Sequence, residues 1–293
     1  MTPRHHTVPQ LYLVNFANPA KKVMLVDRNY PSRKHLSVVR KAITEVGFYR
    51  IETEHLARAS DRATFDPESV EAGLSALETA VKPTIDKLVH RTGRLDDNDW
   101  YRLIQFTALQ TVRGNRWREI LIDRISARIW DEYFVTPRPT AGESPAANLS
   151  AETRFPRVVP PQAVLVQESL KMALGTETDI GIGRYLAEKT IRFIRPSNAR
   201  VLTSDEPVVW WSPGDDSCAY ALATCVWMPL SPALIVEFAD VDFDRSAHDV
   251  PDSGDDLVTF VNGLVASQAH RWIVHHPDDN PLDFCTLPER APK

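Results

Sequence analysis

The chain opens with Arg4-His5-His6-Thr7-Val8-Pro9-Gln10-Leu11-Tyr12-Leu13-Val14-Asn15-Phe16, the segment in which chemically distinctive side chains are most concentrated. If its apolar residues are buried, imidazole and amide groups lie beside apolar surface. His6 is therefore a candidate acid, base or ligand, and Gln10 is a candidate substrate-binding residue. The alternative is that both side chains bond to backbone and only tether the N-terminus.

The region that follows has the pattern of a small antiparallel β unit. Residues 22–28 and 34–39 are β-prone and flank turn residues at 29–32, which predicts a hairpin. Residues 47–51 are predicted as a further extended segment. We expect the opening segment to pack against this unit, which spans residues 20–52.

Helical periodicity dominates the middle of the chain. An Asp-Pro-Glu start at Asp66 and apolar residues at helical spacing predict a helix over 66–91. A second start at 96–99 leads into a long helical stretch to about Phe134, with Gly114 as the expected position of a break. These helices are expected to pack as an antiparallel bundle. Further helices are predicted at 162–174 and 179–188, the first stopped by Gly175.

The last third of the chain changes to the period of strands. Runs at 190–195, 200–203, 208–211, 221–228 and 233–238 predict a second sheet, antiparallel or mixed. Ser253 opens a predicted helix that packs on this sheet, and residues 271–275 are predicted as a last strand. The fold class is therefore α+β.

Length gives a prior of about one to two domains, and composition indicates an ordinary globular protein. The prediction is a single domain over 1–293, with sub-units at 1–60, 61–188 and 189–293 and a Pro-rich loop at 136–161. A net charge of -5 gives no global attraction to nucleic acid or to an anionic membrane. The three cysteines fit a reducing compartment, and we expect a soluble, cytoplasmic protein because no apolar run is long enough for a signal peptide or a membrane span.

A second candidate site is the turn Thr203-Ser204-Asp205-Glu206-Pro207 between two β-prone runs. It would expose the hydroxyl of Ser204 and the carboxylate of Asp205 at a strand end, where binding and catalytic groups are common. The alternative is that the two side chains only stabilise a turn before Pro207.

The third candidate is a helical row spaced at three and four residues: Arg102, Phe106, Gln110, Arg113 and Trp117. If Arg113 is buried it needs an anionic partner, which could be a carboxylate such as Asp205 or the phosphate of a ligand. Gln110 and Arg113 are therefore candidate substrate-binding residues. The alternative is a solvated basic helix.

No established catalytic signature supports a specific reaction. The sequence lacks Gly-x-Ser-x-Gly, P-loop, zincin and kinase motifs, and it identifies no cofactor. His275-His276-Pro277-Asp278-Asp279 fits no metal-ligand spacing, so we assign no metal ligand.

Several motifs in order resemble one bacterial family. They are His5-His6-x-Val8-Pro9-Gln10-x-Tyr12-Leu13-x-Asn15-Phe16, Phe48-Tyr49, Gln105-Phe106 to Arg113, Leu202-Thr203-Ser204-Asp205-x-Pro207-Val208 and Pro229-Leu230-Ser231-Pro232. This order is similar to that of the family called domain of unknown function 4238, over residues 5 to about 275. The resemblance implies that the three candidate sites belong to one architecture, but it transfers no activity.

Two hypotheses follow from these residues. The first is a hydrolase acting on a phosphate-bearing or other anionic substrate, with His6 as acid or base, Arg113 as anion clamp, and Asp205 with Ser204 as catalytic groups. The second is a non-catalytic binding or interaction protein in which Arg113 and Asp205 form a buried ion pair. The expected partner is a small anionic ligand or a nucleotide, and the oligomeric state is open.

Overall fold

A computed structural model describes residues 3–52, 54, 66–134, 157–175, 181–214, 223–248, 250–252, 254–285 and 287 of the 293-residue chain. Its helices and antiparallel sheets make it an α+β protein, as predicted. Most of the predicted Pro-rich loop, the helix start at Asp179, the first residues of the strand at 221–228 and the helix cap at Ser253 lie outside the described residues.

The N-terminal segment forms two strand pairs and a short helix. Its elements are β1 (Arg4–His6), α1 (Gln10–Leu13), β2 (Lys22–Asp27), β3 (Tyr30–Val38) and β4 (Thr44–Val46). β2 and β3 form the predicted hairpin, and β1 pairs antiparallel with β4. The predicted extended segment at 47–51 is wrong, because residues 47–49 form a turn in which Gly47 has a left-handed φ of 62°.

The helical region contains α2 (Ser69–His90), α3 (Asp97–Val112), α4 (Asn115–Phe134), α5 (Gln162–Leu174) and α6 (Ile182–Ala187). A capping box joins the side chains of Asp96 and Asp99 to each other's backbone amides, which confirms the predicted start of α3. The break at Gly114 is also confirmed. α3 lies at the centre, in contact with α2, α5 and α6.

The C-terminal region supplies a sheet and the helix that covers it. Its elements are β5 (Thr190–Ile194), β6 (Thr203–Ser204), β7 (Val209–Trp211), β8 (Cys225–Ser231), β9 (Leu234–Ala239), α7 (Gly254–Gln268) and β10 (Trp272–His275). β5, β9, β8 and β7 pair in that order, and each pair is antiparallel. The predicted strand at 200–203 is wrong in its bounds: the backbone amide of Leu202 donates to the side chain of Asn262 at 3.0 Å instead of to a strand.

A second four-stranded sheet joins the two ends of the chain. Its order is β3-β2-β10-β6, so Val26 pairs with Ile273, which pairs with Ser204. The hydroxyl of Tyr12 adds a buried link, since it lies 2.6 Å from the hydroxyl of Thr203 and donates to the carbonyl of Pro229 at 2.6 Å. The opening segment and the turn at 203–207 therefore belong to one structural unit.

Candidate functional site

A cavity of about 260 Å³ lies along α3, against α2 and the C-terminal end of α5. Four members of the predicted helical row line it, namely Arg102, Phe106, Gln110 and Arg113. The rest of its wall consists of Leu74, Leu77, Glu78, Ala80, Val81, Tyr101, Gln105, Leu109 and Leu174. We call this space the helical cavity.

Arg113 is buried at the inner end of the helical cavity, with 4% of its surface exposed. Its Nη1 donates to Glu78 Oε1 at 2.5 Å, Nε donates to the hydroxyl of Tyr49 at 3.1 Å, and Nη2 donates to the carbonyl oxygen of His6 at 2.9 Å. The sequence names Asp205 as a carboxylate partner for this arginine. The structure corrects that assignment, because Glu78 holds the position.

These contacts keep Arg113 charged. Burial works against the charge, but Tyr49 and Glu78 more than offset it, so the pKa of Arg113 lies above its usual value. Burial raises the pKa of Tyr49, which leaves its phenol neutral near pH 7. Glu78 is thus the group that compensates the guanidinium charge.

Gln110 lies one helical turn before Arg113 and is 1% exposed. Neither its amide nitrogen nor its amide oxygen has a hydrogen-bond partner among the described residues. An amide that is buried without a partner costs about 1–3 kcal/mol by protein mutational data. The fold therefore leaves one strongly polar group on the cavity wall without compensation.

The two histidines of the opening segment have different environments. Nδ1 of His5 accepts from the backbone amide of Tyr49 at 2.8 Å, so a neutral ring carries its proton on Nε2, which lies 2.7 Å from Glu68 Oε2. His6 is half-buried, its Nε2 lies 3.2 Å from the carbonyl oxygen of Arg40, and burial lowers its pKa. His5, and not the predicted His6, is the histidine held in a buried polar network.

Ser204 and Asp205 are occupied by backbone contacts. The hydroxyl of Ser204 donates to the carbonyl of Glu206 at 2.8 Å and accepts from its amide at 3.1 Å. Oδ1 of Asp205 accepts from the amide of residue 270 at 2.9 Å, and Oδ2 accepts from the amides of residues 271 and 272 at 2.8 and 2.9 Å. Ser204 thus stabilises the turn before Pro207, while Asp205 fixes this turn to the start of β10.

The side chain of Glu206 packs against the break between α3 and α4 and bonds to the start of α4. Its Oε1 accepts from the backbone amide of Arg116 at 2.7 Å, in the first turn of α4. Its carboxyl group lies against Gly114 so closely that a Cβ atom there would overlap it. Burial, with the neighbouring Asp205, raises the pKa of Glu206 to about 8, so this side chain carries a proton at neutral pH.

The predicted site residues do not line one cavity. Gln110 and Arg113 share the helical cavity, whereas Asp205 lines a polar cavity of about 310 Å³ together with Arg4, Thr7, Asn115, Arg271 and others. Gln10 lies on a third cavity, of about 510 Å³, and is exposed. His6 and Ser204 are not wall residues of these three cavities.

Three polar residues with clear roles were not predicted. Tyr49 stood in the Phe48-Tyr49 pair, and Glu206 filled the variable position of the 203–207 motif, so both were visible but had no assigned role. Glu78 lies on α2 among exposed neighbours, and its side chain is 19% exposed. The local pattern of α2 gives no sign that Glu78 meets an arginine.

Within the described ranges, no group of three or more His, Cys, Asp or Glu side chains is placed to hold a metal ion. The same part of the chain contains no helix with the length and apolar character of a membrane span.

Fold and site define an α+β protein with a small, largely apolar cavity that has a buried amide and a buried arginine in its wall. The chain belongs to the family described as "Protein of unknown function (DUF4238)", which matches residues 4–279. This match confirms the family resemblance seen in the sequence motifs. Neither curated proteins nor solved structures give a significant match.

Proposed function

We propose that this protein binds a small molecule in the helical cavity without catalysing a reaction on it. In this proposal the polar groups at 5–6 and 203–207 have structural roles. The observation that carries it is the amide of Gln110, which is buried on the cavity wall with no partner among the described residues. Buried polar groups in folded proteins are nearly always bonded, so an exception beside a cavity favours a ligand.

The chemistry of Gln110 indicates what such a ligand offers. Its side chain has one acceptor oxygen and two N–H donors, which a primary amide or a similar donor–acceptor edge complements. The terminal torsion of a glutamine is broad, so the amide can turn toward the cavity at little cost in energy. A bound amide would then remove the cost of leaving the Gln110 amide without a hydrogen-bond partner.

The opening of the helical cavity has an apolar rim. Leu77, Tyr101 and Leu174 come from three different helices, line the cavity, and are 42%, 63% and 48% exposed. Exposed apolar side chains grouped around a cavity are typical of ligand sites. The ligand is therefore expected to combine a polar end with an apolar body.

The hydrolase hypothesis has weaker support. It requires His6, Arg113 and Asp205 around one substrate, but Arg113 and Asp205 line different cavities. Both carboxylate oxygens of Asp205 already accept backbone amides, and Arg113 is paired with Glu78. A binding role requires only Gln110 and the cavity wall, and the Gln110 amide has no hydrogen-bond partner among the described residues.

Octanamide is a suitable first probe, because it joins a primary amide to a short apolar chain. Calorimetric titration of the purified protein should show saturable binding of one octanamide. We expect Gln110→Leu to weaken this binding by about tenfold or more, since the loss of a buried amide–amide contact is worth about 1–2 kcal/mol.

Two phenylalanine variants separate the helical cavity from non-specific binding. Ala80 and Ala76 are both exposed residues of α2, but only Ala80 lines the cavity. Ala80→Phe should fill the cavity and abolish octanamide binding, whereas Ala76→Phe should bind as the wild type does. No binding by the wild-type protein, or equal binding by both variants, would contradict the proposed function.

A further inference from the structure

The helical cavity has two polar ends along α3. Arg102, Phe106, Gln110 and Arg113 follow one another at one turn each and all line it. Arg102 and Gln110 are eight positions apart, which corresponds to about 12 Å along the helix at 1.5 Å per residue. A ligand that spans the cavity can therefore contact both residues at once.

The charge at these two ends is not balanced. Glu78 compensates Arg113 at the inner end, with 2.5 Å between the charged atoms. Arg102 is exposed, and within the described part of the chain it has no ion pair or hydrogen bond. Among the residues that the structure describes, these three are the charged members of the wall. One uncompensated positive charge thus remains at the outer end.

Apart from Gln105, the side chains that α3 contributes to the wall between the two ends are apolar. Phe106 lies midway along α3 and is 3% exposed, and Val81 faces the same space from α2 and is 2% exposed. An apolar segment of ligand is favoured there because it covers wall that would otherwise meet water. A charged group in that middle region would instead lose its hydration without a partner.

We infer that the ligand is a monoanion with polar groups at both ends of an apolar spacer. Its anionic group, a carboxylate or a group of similar charge, pairs with Arg102 at the mouth. Its neutral donor–acceptor end pairs with Gln110, about 12 Å further along α3. This inference rests on the proposed function and specifies the class of ligand.

The monoamide of octanedioic acid tests the inference against octanamide. The two probes share the amide and the chain length, and differ in that a carboxylate replaces the terminal methyl group. The monoamide should bind at least about threefold more tightly, which is the size of a favourable exposed ion pair. This advantage should shrink in about 1 M salt, where charges are screened within about 3 Å.

Two arginine-to-glutamine variants test whether the preference for the monoamide depends on Arg102. Arg102→Gln should bind both probes equally, while Arg124→Gln removes an exposed arginine of α4 outside the cavity wall and should keep the wild-type preference. Both positions are exposed, so neither change is expected to unfold the protein.

The possible results separate the two proposals. If octanamide binds but the carboxylate adds no affinity, or adds the same affinity in Arg102→Gln, the monoanion inference is overturned and the proposed function stands. If neither probe binds the wild-type protein, the proposed function fails, and the inference fails with it.

Discussion

Because Glu206 packs directly against Gly114, the substitution Gly114→Ala should strongly destabilise the folded protein. Glu206 reaches across from the turn at 203–207 and bonds to the backbone amide of Arg116 at 2.7 Å. A Cβ atom at Gly114 would overlap both carboxyl oxygens of Glu206. Gly114→Ala therefore either expels the carboxyl group from its buried position or moves the turn at 203–207 away from the break between α3 and α4.

The expected size of this effect combines three contributions. Loss of the hydrogen bond to the carboxyl group costs about 1–3 kcal/mol. Overpacking costs about 1–3 kcal/mol, and the lower conformational entropy of the unfolded chain with alanine returns up to about 1 kcal/mol. The free energy of unfolding should fall by about 3 kcal/mol.

A double-mutant cycle isolates the contact from other effects of the methyl group. In Glu206→Ala the overlapping atoms are gone, so adding Gly114→Ala should be neutral, or stabilising by up to about 1 kcal/mol because alanine lowers the entropy of the unfolded chain. The coupling energy between the two positions should be about 3 kcal/mol, well above the value for residues that do not touch.

Urea unfolding followed by the fluorescence of the seven tryptophans measures all four proteins of the cycle. Gly73→Ala is a control for the added methyl group, because a Cβ at Gly73, inside α2, meets nothing within 4 Å. The reasoning is refuted if Gly114→Ala costs no more than Gly73→Ala, or if it costs the same with and without the Glu206 side chain.

Three further predictions concern buried carboxyl groups. The pKa of Glu206 is raised from an ordinary 4.5 to about 8, so between these pH values the folded state keeps a proton that the unfolded chain releases. The free energy of unfolding should therefore fall as pH rises from 4.5 to about 8, and Glu206→Gln should remove this dependence. Lys87 and Thr84 lower the pKa of Asp99 from 3.8 to about 2, so the stability that its carboxylate contributes is present above pH 3.8 and is lost as pH falls through about 2. Asp99→Asn should lower the free energy of unfolding by about 2 kcal/mol at pH 6, and an equal difference near pH 2 would contradict this. Asp205→Asn should lower the melting temperature by several degrees, because an amide cannot accept three backbone N–H bonds with the same strength; an unchanged melting temperature would count against the structural role of Asp205.

The helical region was predictable because its signals are local. The capping residues Asp96 and Asp99 lie three positions apart, and the break at Gly114 lies in one continuous helical pattern. Such features depend on neighbours within one or two turns, which the sequence shows directly.

The sheets were less predictable because their partners are far apart in the chain. β10 pairs with β2, so Ile273 lies opposite Val26, and no local property of either strand specifies the other. The sequence therefore placed residues 271–275 with the C-terminal strands, whereas the structure pairs β10 with the N-terminal hairpin and with β6. Strand register of this kind is set by tertiary packing.

The candidate site shows the same division. The need of a buried Arg113 for an anionic partner follows from its charge, but the identity of that partner depends on how α2 lies against α3. His5 and His6 are neighbours on a strand, where successive side chains face opposite sides, so only the structure decides which is buried. The sequence favoured His6, and the structure buries His5.

Gln110, Arg113 and Glu206 are buried polar side chains that differ in whether the fold supplies their hydrogen-bond partners. All three are at most 5% exposed and lie within α3 or against the break that follows it. Arg113 and Glu206 have partners that tie distant segments together, so the fold itself accounts for their burial. The amide of Gln110 makes no hydrogen bond to the described residues, and a leucine there would fill the same helix face without the penalty of an unpaired amide. A polar side chain that weakens the fold is best explained by what it can bind, and the helical cavity is the space that Gln110 adjoins.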